Sequence, residues 1–285
     1  MKTVRLGFKA FDLHELLPFM VARDAGLFER ENLRITLTDT SLPNQNTSAT
    51  PDLSVACGAA TLNFLRGKSA RIVLVACSEP LFHLCVNDDD LRDFSDLHGK
   101  TIASYPGPSP PGLFLRYLLQ DGEIDAELRE TRTDEARLGL LGTDDVDAAL
   151  VSSAVSRGTL ERFDVNRLVT LGDRLRVPTT GLAVNGDGLT NRNEILQGLV
   201  AVFREGLSLI RDDPDASTKT IQRHLGQSPE DARKSYEFVK NYFSGDGTLV
   251  PGTVEDDLKE LARFMDLTPP SEVDPLFDFS FLSKR

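Results

Sequence analysis

The chain has 285 residues, 40% of them hydrophobic and 27% charged, which is the composition of a globular protein and not of a disordered or low-complexity chain. Its 32 Lys and Arg stand against 44 Asp and Glu, a net charge of −12 with no basic block, so a nucleic-acid backbone would be repelled and no such partner is expected. No apolar run approaches the roughly 20 residues that cross a bilayer, and the first residues lack the basic start, apolar middle and small-residue cleavage site of a secretory leader.

Val4 to Phe8 reads as an apolar strand, the amphipathic run ending Ala25-Gly26-Leu27-Phe28 as a helix, and Leu33 to Leu37 as a second strand. That is a βαβ unit beginning at residue 3. Residues 41–51 form a polar loop by composition, Asp52 to Ala56 a short strand, Ala59 to Leu65 a helix and Arg71 to Cys77 another strand. The alternation implies a mainly parallel sheet covered on both faces. A second alternating set predicts strands at 101–104, 127–131, 147–151 and 167–171, with helices at 112–121, 134–142 and 153–162. Thr179 to Asn185 reads as a further strand. Beyond it, Ile195, Leu196, Leu199, Val202, Phe203 and Leu207 recur at helical spacing up to a stop at Asp212 to Pro214. Ser228-Pro229-Glu230-Asp231 starts another helix, because serine caps it and proline has no N–H to lose. Val254, Leu258, Leu261, Ala262 and Met265 mark a last apolar stripe, and Phe277, Phe279 and Phe281 alternate with polar neighbours as an extended arm would. Two α/β sets suggest two lobes: 1–85 and 183–285 form the first, and 86–182 the second.

The order of these signals resembles a known family. The strand at 4–8, the helix end Ala22-Arg23-Asp24-Ala25-Gly26-Leu27-Phe28, Asp96-Leu97-His98-Gly99-Lys100-Thr101-Ile102-Ala103 and the run Leu141-Gly142 to Val146-Asp147-Ala148-Ala149 are similar to the nitrate/sulfonate/taurine type of ABC-transporter substrate-binding protein and to thiamine-pyrimidine-synthesis-like proteins. The resemblance implies an α/β, two-lobed type II periplasmic-binding-protein fold, each lobe a mainly parallel sheet flanked by helices, joined by two crossover strands. It also implies capture of a small polar or aromatic ligand, expected to be anionic, between the lobes of a monomer that delivers it to an ABC permease without a cofactor. The alternative is a cytoplasmic enzyme on the same fold, of decarboxylase or cofactor-biosynthesis type as in menaquinone or thiamine pathways, with His14, Cys57 and Asp12 supplying the chemistry. Location follows the same fork: extracytoplasmic if a leader preceded Met1, cytoplasmic if Met1 is the native start.

Loops at the carboxyl ends of parallel strands face the ligand in such folds, and this rule selects the candidates. Phe11, Asp12 and His14 follow the first strand; Phe11 could stack on a planar ligand, while the plainer role of Asp12 is a helix cap. Cys57 and Gly58 follow the third, where the thiol reads first as a buried packing residue and glycine lets backbone approach a ligand closely. Tyr105 and Ser109 lie in a loop with four prolines in eight residues, pre-shaped for an anion or carboxylate. Ser152 and Ser153 follow the strand at 147–151, and Thr179 with Thr180 sits at the return crossing. Phe11, Tyr105 and Phe114 are the candidates for an aromatic wall, since tryptophan is absent. The histidines have no metal-ligand spacing, Asp88-Asp89-Asp90 lacks the glycine of a calcium loop, and no phosphate-loop or cysteine-rich metal motif occurs, so no metal is expected.

Overall fold

In the computed structural model, residues 1–40, 51, 53–185 and 193–282 are described, and the loop expected at 41–50 and the strand start expected at Asp52 lie outside them. The chain forms β1 (Lys2–Phe8), α1 (Leu13–Asp24), α2 (Leu27–Arg30), β2 (Leu33–Asp39), β3 (Leu53–Ala56), α3 (Cys57–Leu65) and β4 (Ala70–Cys77). Then come β5 (Phe82–Val86), β6 (Thr101–Ser104), α4 (Pro110–Asp121), β7 (Glu127–Glu130), α5 (Asp134–Gly142), β8 (Ala148–Ser152), α6 (Arg157–Arg162) and β9 (Asn166–Thr170). The remainder is β10 (Thr180–Asn185), α7 (Asn193–Asp212), α8 (Pro214–Leu225), α9 (Pro229–Val239) and α10 (Glu255–Phe264). Two compact units result: Met1–Ser78 with Val177–Arg285, and Glu79–Arg176.

The first unit holds a five-stranded sheet in the order β2-β1-β3-β10-β4. β1 runs parallel to β2 and β3, while β10 lies antiparallel between β3 and β4. Helix α1 is buried along nearly its whole length from Leu13 to Ala22, the signature of a helix packed on more than one side. Its Phe19 meets Phe28, and Phe28 meets Phe203 of α7, at centroid distances of 5.2 and 6.4 Å, which makes an aromatic centre for this core. The second unit repeats the plan as β7-β6-β8-β5-β9. There β6 is parallel to β7 and β8, and β5 is the antiparallel insert between β8 and β9.

Several elements differ from the sequence-based expectation. The chain passes between units at Ser78/Glu79 and Arg176/Val177, earlier than the expected 85/86 and 182/183, because Phe82 to Val86 is a strand of the second sheet. Asp212 to Pro214 does end α7, but it also starts α8: Asp213 caps Ala216 N–H at 2.9 Å and Pro214 opens the helix. Helix α6 begins at Arg157 and not at 153, since Ser156 caps Thr159 N–H. The tail is not an extended arm. It forms two short 3₁₀ turns at Asp274–Leu276 and Phe279–Phe281, with the Phe277 and Phe279 rings stacked at 5.5 Å and Asp278 N–H bonded to the Ile72 carbonyl at 2.9 Å.

Among the described residues, no helix is long and apolar enough to cross a membrane. The insertion of β10 depends on one small residue. A Cβ at Gly181 would stand 1.9 Å from the Leu74 carbonyl oxygen, which is backbone and has nowhere to go. Gly181→Ala is therefore expected to destabilise the protein by about 3 kcal/mol or more, read as a lower urea midpoint at an unchanged m-value.

Candidate functional site

In the first unit, the carboxyl ends of β1 and β3 carry the 9–12 loop and the start of α3. The return strand joins them there, because Thr180 is paired with Ala56 of β3 and with Cys77 of β4. Asp12 is the N-cap of α1, its Oδ1 accepting the Glu15 N–H at 2.8 Å. The side chain of Glu15 turns back and accepts the N–H groups of Lys9 and Ala10 at 2.7 and 3.0 Å. The two acids form a reciprocal cap that fixes the loop bearing Phe11. Phe11 itself is 47% exposed and stands edge-on to Phe8 at 5.9 Å, so its ring has a face in solvent.

His14 is buried, and its Nε2 lies 2.7 Å from Thr179 Oγ1. The Thr179 hydroxyl also donates to the Cys77 carbonyl at 3.3 Å. Burial lowers the His14 pKa to about 3, and the imidazole is neutral at any physiological pH. Thr179 also accepts the Gly58 N–H on its carbonyl at 3.3 Å. The Cys57 thiol is buried and held well above the ordinary thiol range, first by burial and then by the neighbouring Glu15 and Cys77. Thr180 is fully buried. Glu15 is the residue that sequence reasoning missed here, although Asp12 followed three positions later by Glu is a capping-box spacing legible in the sequence. Burial is the largest influence on it and raises its pKa to about 7, against the lowering pull of the Ala10 and Lys9 N–H groups.

In the second unit, a single carboxylate organises the carboxyl edge. Asp134, at the start of α5, accepts from the Tyr105 hydroxyl at 3.0 Å, from Arg137 at 2.6 Å, and from Ser152 through its N–H at 3.2 Å and its hydroxyl at 2.6 Å. Arg137 is 1% exposed. Its guanidinium lies over the Tyr105 ring, 3.6 Å from the centroid, and donates to the Thr131 carbonyl at 2.9 Å. Phe82 meets Tyr105 edge-on at 5.5 Å. The loops after β6, β7 and β8 are thereby tied together at the edge of three adjacent strands.

Ser109 serves α4 as its N-cap, accepting the Gly112 N–H at 3.4 Å and donating to the Pro106 carbonyl at 2.6 Å. Ser153 is buried next to Ser152. Phe114, expected in an aromatic wall, is instead fully buried core, and one face of Tyr105 is covered by Arg137. Of the three aromatic candidates, Phe11 alone has an exposed ring. Asp134 and Arg137 carried no signal in the sequence beyond an i, i+3 acid–base pair, which surface helices have in abundance. Among the described residues, no group of three or more His, Cys, Asp or Glu is arranged to hold a metal ion.

A family model described as NMT1/THI5 like matches residues 14–217. No curated protein matches the chain. Solved structures align along essentially its whole length. A ligand-binding component of an ABC-type import system from Staphylococcus aureus, with zinc bound, has a TM-score of 0.75 and 15% identity, over 100% of this chain and 99% of its own. The alkanesulfonate-binding protein SsuA from Xanthomonas axonopodis pv. citri, bound to MOPS, has 0.71 and 19%, over 98% of each. The desulfurization enzyme DSZB has 0.68 and 16%, over 99% and 98%. Identities this low speak for the fold, and that fold is the two-lobed periplasmic-binding-protein fold.

Two measurements test the electrostatics. A carboxyl whose folded pKa is raised from 4.5 to about 7 binds its proton more tightly in the folded state, so its contribution to stability is complete below pH 4.5 and is lost as pH rises toward 7. Glu15→Gln is expected to remove that loss, roughly 3 kcal/mol across this window, seen as the pH-dependent difference between wild type and variant in urea unfolding. Asp134→Ala leaves the Arg137 charge buried and uncompensated, and is expected to cost roughly 3 kcal/mol. The double variant with Arg137→Met should regain most of that loss in melting temperature.

Proposed function

This chain belongs to the NMT1/THI5-like family, and from that premise we propose that it is a solute-binding protein, taking up a small polar or aromatic molecule and presenting it to an ABC permease on the extracytoplasmic side. Each unit offers its own candidate ligand groups at the carboxyl edge of its sheet: Phe11, Asp12, His14, Cys57, Gly58, Thr179 and Thr180 in the first, and Tyr105, Ser109, Ser152 and Ser153 in the second. Phe11 stacks on the ligand, since it presents a large ring to solvent from a loop that Glu15 holds in place.

The observation that favours binding over catalysis is the protonation of the three residues an enzyme would use. Cys57 is kept as a thiol, His14 as a neutral imidazole far too weakly basic to take its proton, and Asp12 is occupied as a cap. A nucleophilic cysteine needs the opposite, a lowered pKa beside a competent base.

Native mass spectrometry of the freshly purified full chain, followed by thermal shift with the molecule found, tests the proposal. A solute-binding protein keeps that molecule chemically unchanged and gains stability in proportion to RT ln(1 + [L]/Kd), whereas turnover of the molecule would end the proposal. Phe11→Ala is expected to weaken binding by about tenfold, while the ligand-free melting temperature stays close to that of wild type because the ring is half exposed.

A further inference from the structure

Glu15 is an acid buried in the first turn of α1, and among the described residues its side chain makes no ion pair. Its Oε2 accepts the Lys9 N–H at 2.7 Å and the Ala10 N–H at 3.0 Å, so the carboxyl is tied to the backbone of the loop that carries Phe11. Lys9, the cation of that loop, directs its ammonium to the Thr40 carbonyl instead. Thr40 is fixed in turn, its N–H and its hydroxyl both bonded to the Phe8 carbonyl at 2.8 Å.

The ionisable groups around Glu15 come from four places in the first unit. Asp12 caps the same helix and takes the Glu15 N–H, and His14 beside it is turned to Thr179. Lys9 in the loop and Asp39 at the end of β2 act on the carboxyl in opposite directions, Lys9 favouring its charge and Asp39 opposing it. The Cys57 thiol at the start of α3 feels Glu15 in turn.

A buried carboxylate without a cation is costly unless it takes up a proton or reaches water. Lys9 and Phe11 are exposed, so the loop that Glu15 holds is also what lies between it and solvent. We infer that Glu15 is a proton-operated latch on the 9–12 loop: protonated, it stays packed and keeps Phe11 in place, and ionised, it draws in water and releases the loop. Burial raises its pKa from 4.5 to about 7 in the closed packing, and opening returns the group to water and to its ordinary value. The closed loop therefore binds the proton more tightly than the open one. Its advantage is complete below pH 4.5, is lost as pH rises toward 7, and changes little beyond. This deepens the solute-binding proposal, and its consequence for a ligand rests on that reading: the stacking ring is held for capture while Glu15 keeps its proton, and is slack once the proton has gone.

The latch is tested on the full chain without a ligand, by native-state hydrogen exchange corrected for intrinsic rates. The Lys9 and Ala10 amides are expected to exchange faster than the Phe203 amide in the core of the same unit at every pH, the mark of a local opening. Their protection is expected to fall by about tenfold or more from pH 5 to pH 8 and to level off near pH 7. Glu15→Gln, neutral throughout, should make that profile flat. Lys9→Met should move the levelling point to higher pH and Asp39→Asn to lower pH, which a purely structural Glu15 would not allow. A smaller fall in wild type, protection equal to that of Phe203, or a levelling point indifferent to both charge variants overturns the inference. Any of these refutes the latch and leaves solute binding standing, whereas turnover of the co-purified molecule refutes solute binding and leaves the exchange profile as it is.

Discussion

Each sheet of this protein is completed by the strand that enters it from the other unit, and that constraint governs the rest. The two sheets share one plan, in which four strands point the same way and a fifth lies antiparallel next to the last of them. In the second unit that fifth strand is β5, the first formed after the chain leaves Ser78. In the first unit it is β10, the first formed after the chain returns at Val177. Because β10 separates β3 from β4, the first sheet cannot close until the whole second unit has been made. The pairing of Thr180 with Ala56 and Cys77 then spans more than a hundred residues of sequence, the kind of contact that slows folding. The same insertion sets Thr179 against His14 and Gly58. Gly181 is small because the strand passes so close to Leu74 that no side chain fits.

Much of this architecture was legible in the sequence, since strands and helices that alternate leave two different periodicities one after the other. β1, β2, β4 and β6 stand where apolar, β-branched runs placed them, to within two residues. Helices α4, α5, α7 and α10 follow their apolar stripes. β5 was not legible as a strand of the second sheet. It has five residues, includes a histidine, and is buried at every position, so it shows no alternation and looks like the tail of the preceding run. Helix α8 was hidden because Asp-Pro both stops and starts helices: aspartate caps the new one and proline is tolerated only in its first turn. The tail misled for a related reason, since aromatic residues at every second position fit a strand and also fit two tight turns whose rings stack.

The candidate site divides along the same line. Loops were predictable from a rule about strand ends, and the cap Asp12 from its position before an apolar helix. What the chain does with those loops was not predictable, because the partners meet through sheet order. Tyr105, Asp134 and Ser152 stand far apart in sequence and converge only because β7, β6 and β8 are neighbours. The two units also use a carboxylate in opposite ways. Asp134 is paired with a buried guanidinium, so the pair is neutral and its value lies in geometry, consistent with the small net worth of buried ion pairs. Glu15 has no buried cation. It carries the full burial penalty, softened by two backbone N–H groups, and its pKa rises to about 7 as a result.

That contrast bears on what these buried groups can do chemically. Preorganising a loop means giving its polar atoms internal partners, and each partner removes a proton or a lone pair from use in chemistry. His14 is fixed by Thr179 and buried, which makes it an oriented ring and a poor base. Cys57 is buried at the start of α3, where the helix dipole would favour a thiolate, yet burial and the Glu15 carboxyl outweigh the dipole and hold it as the thiol. Reversing this would take exposure to water, not the addition of a catalytic group, because the groups are present and it is their burial that silences them.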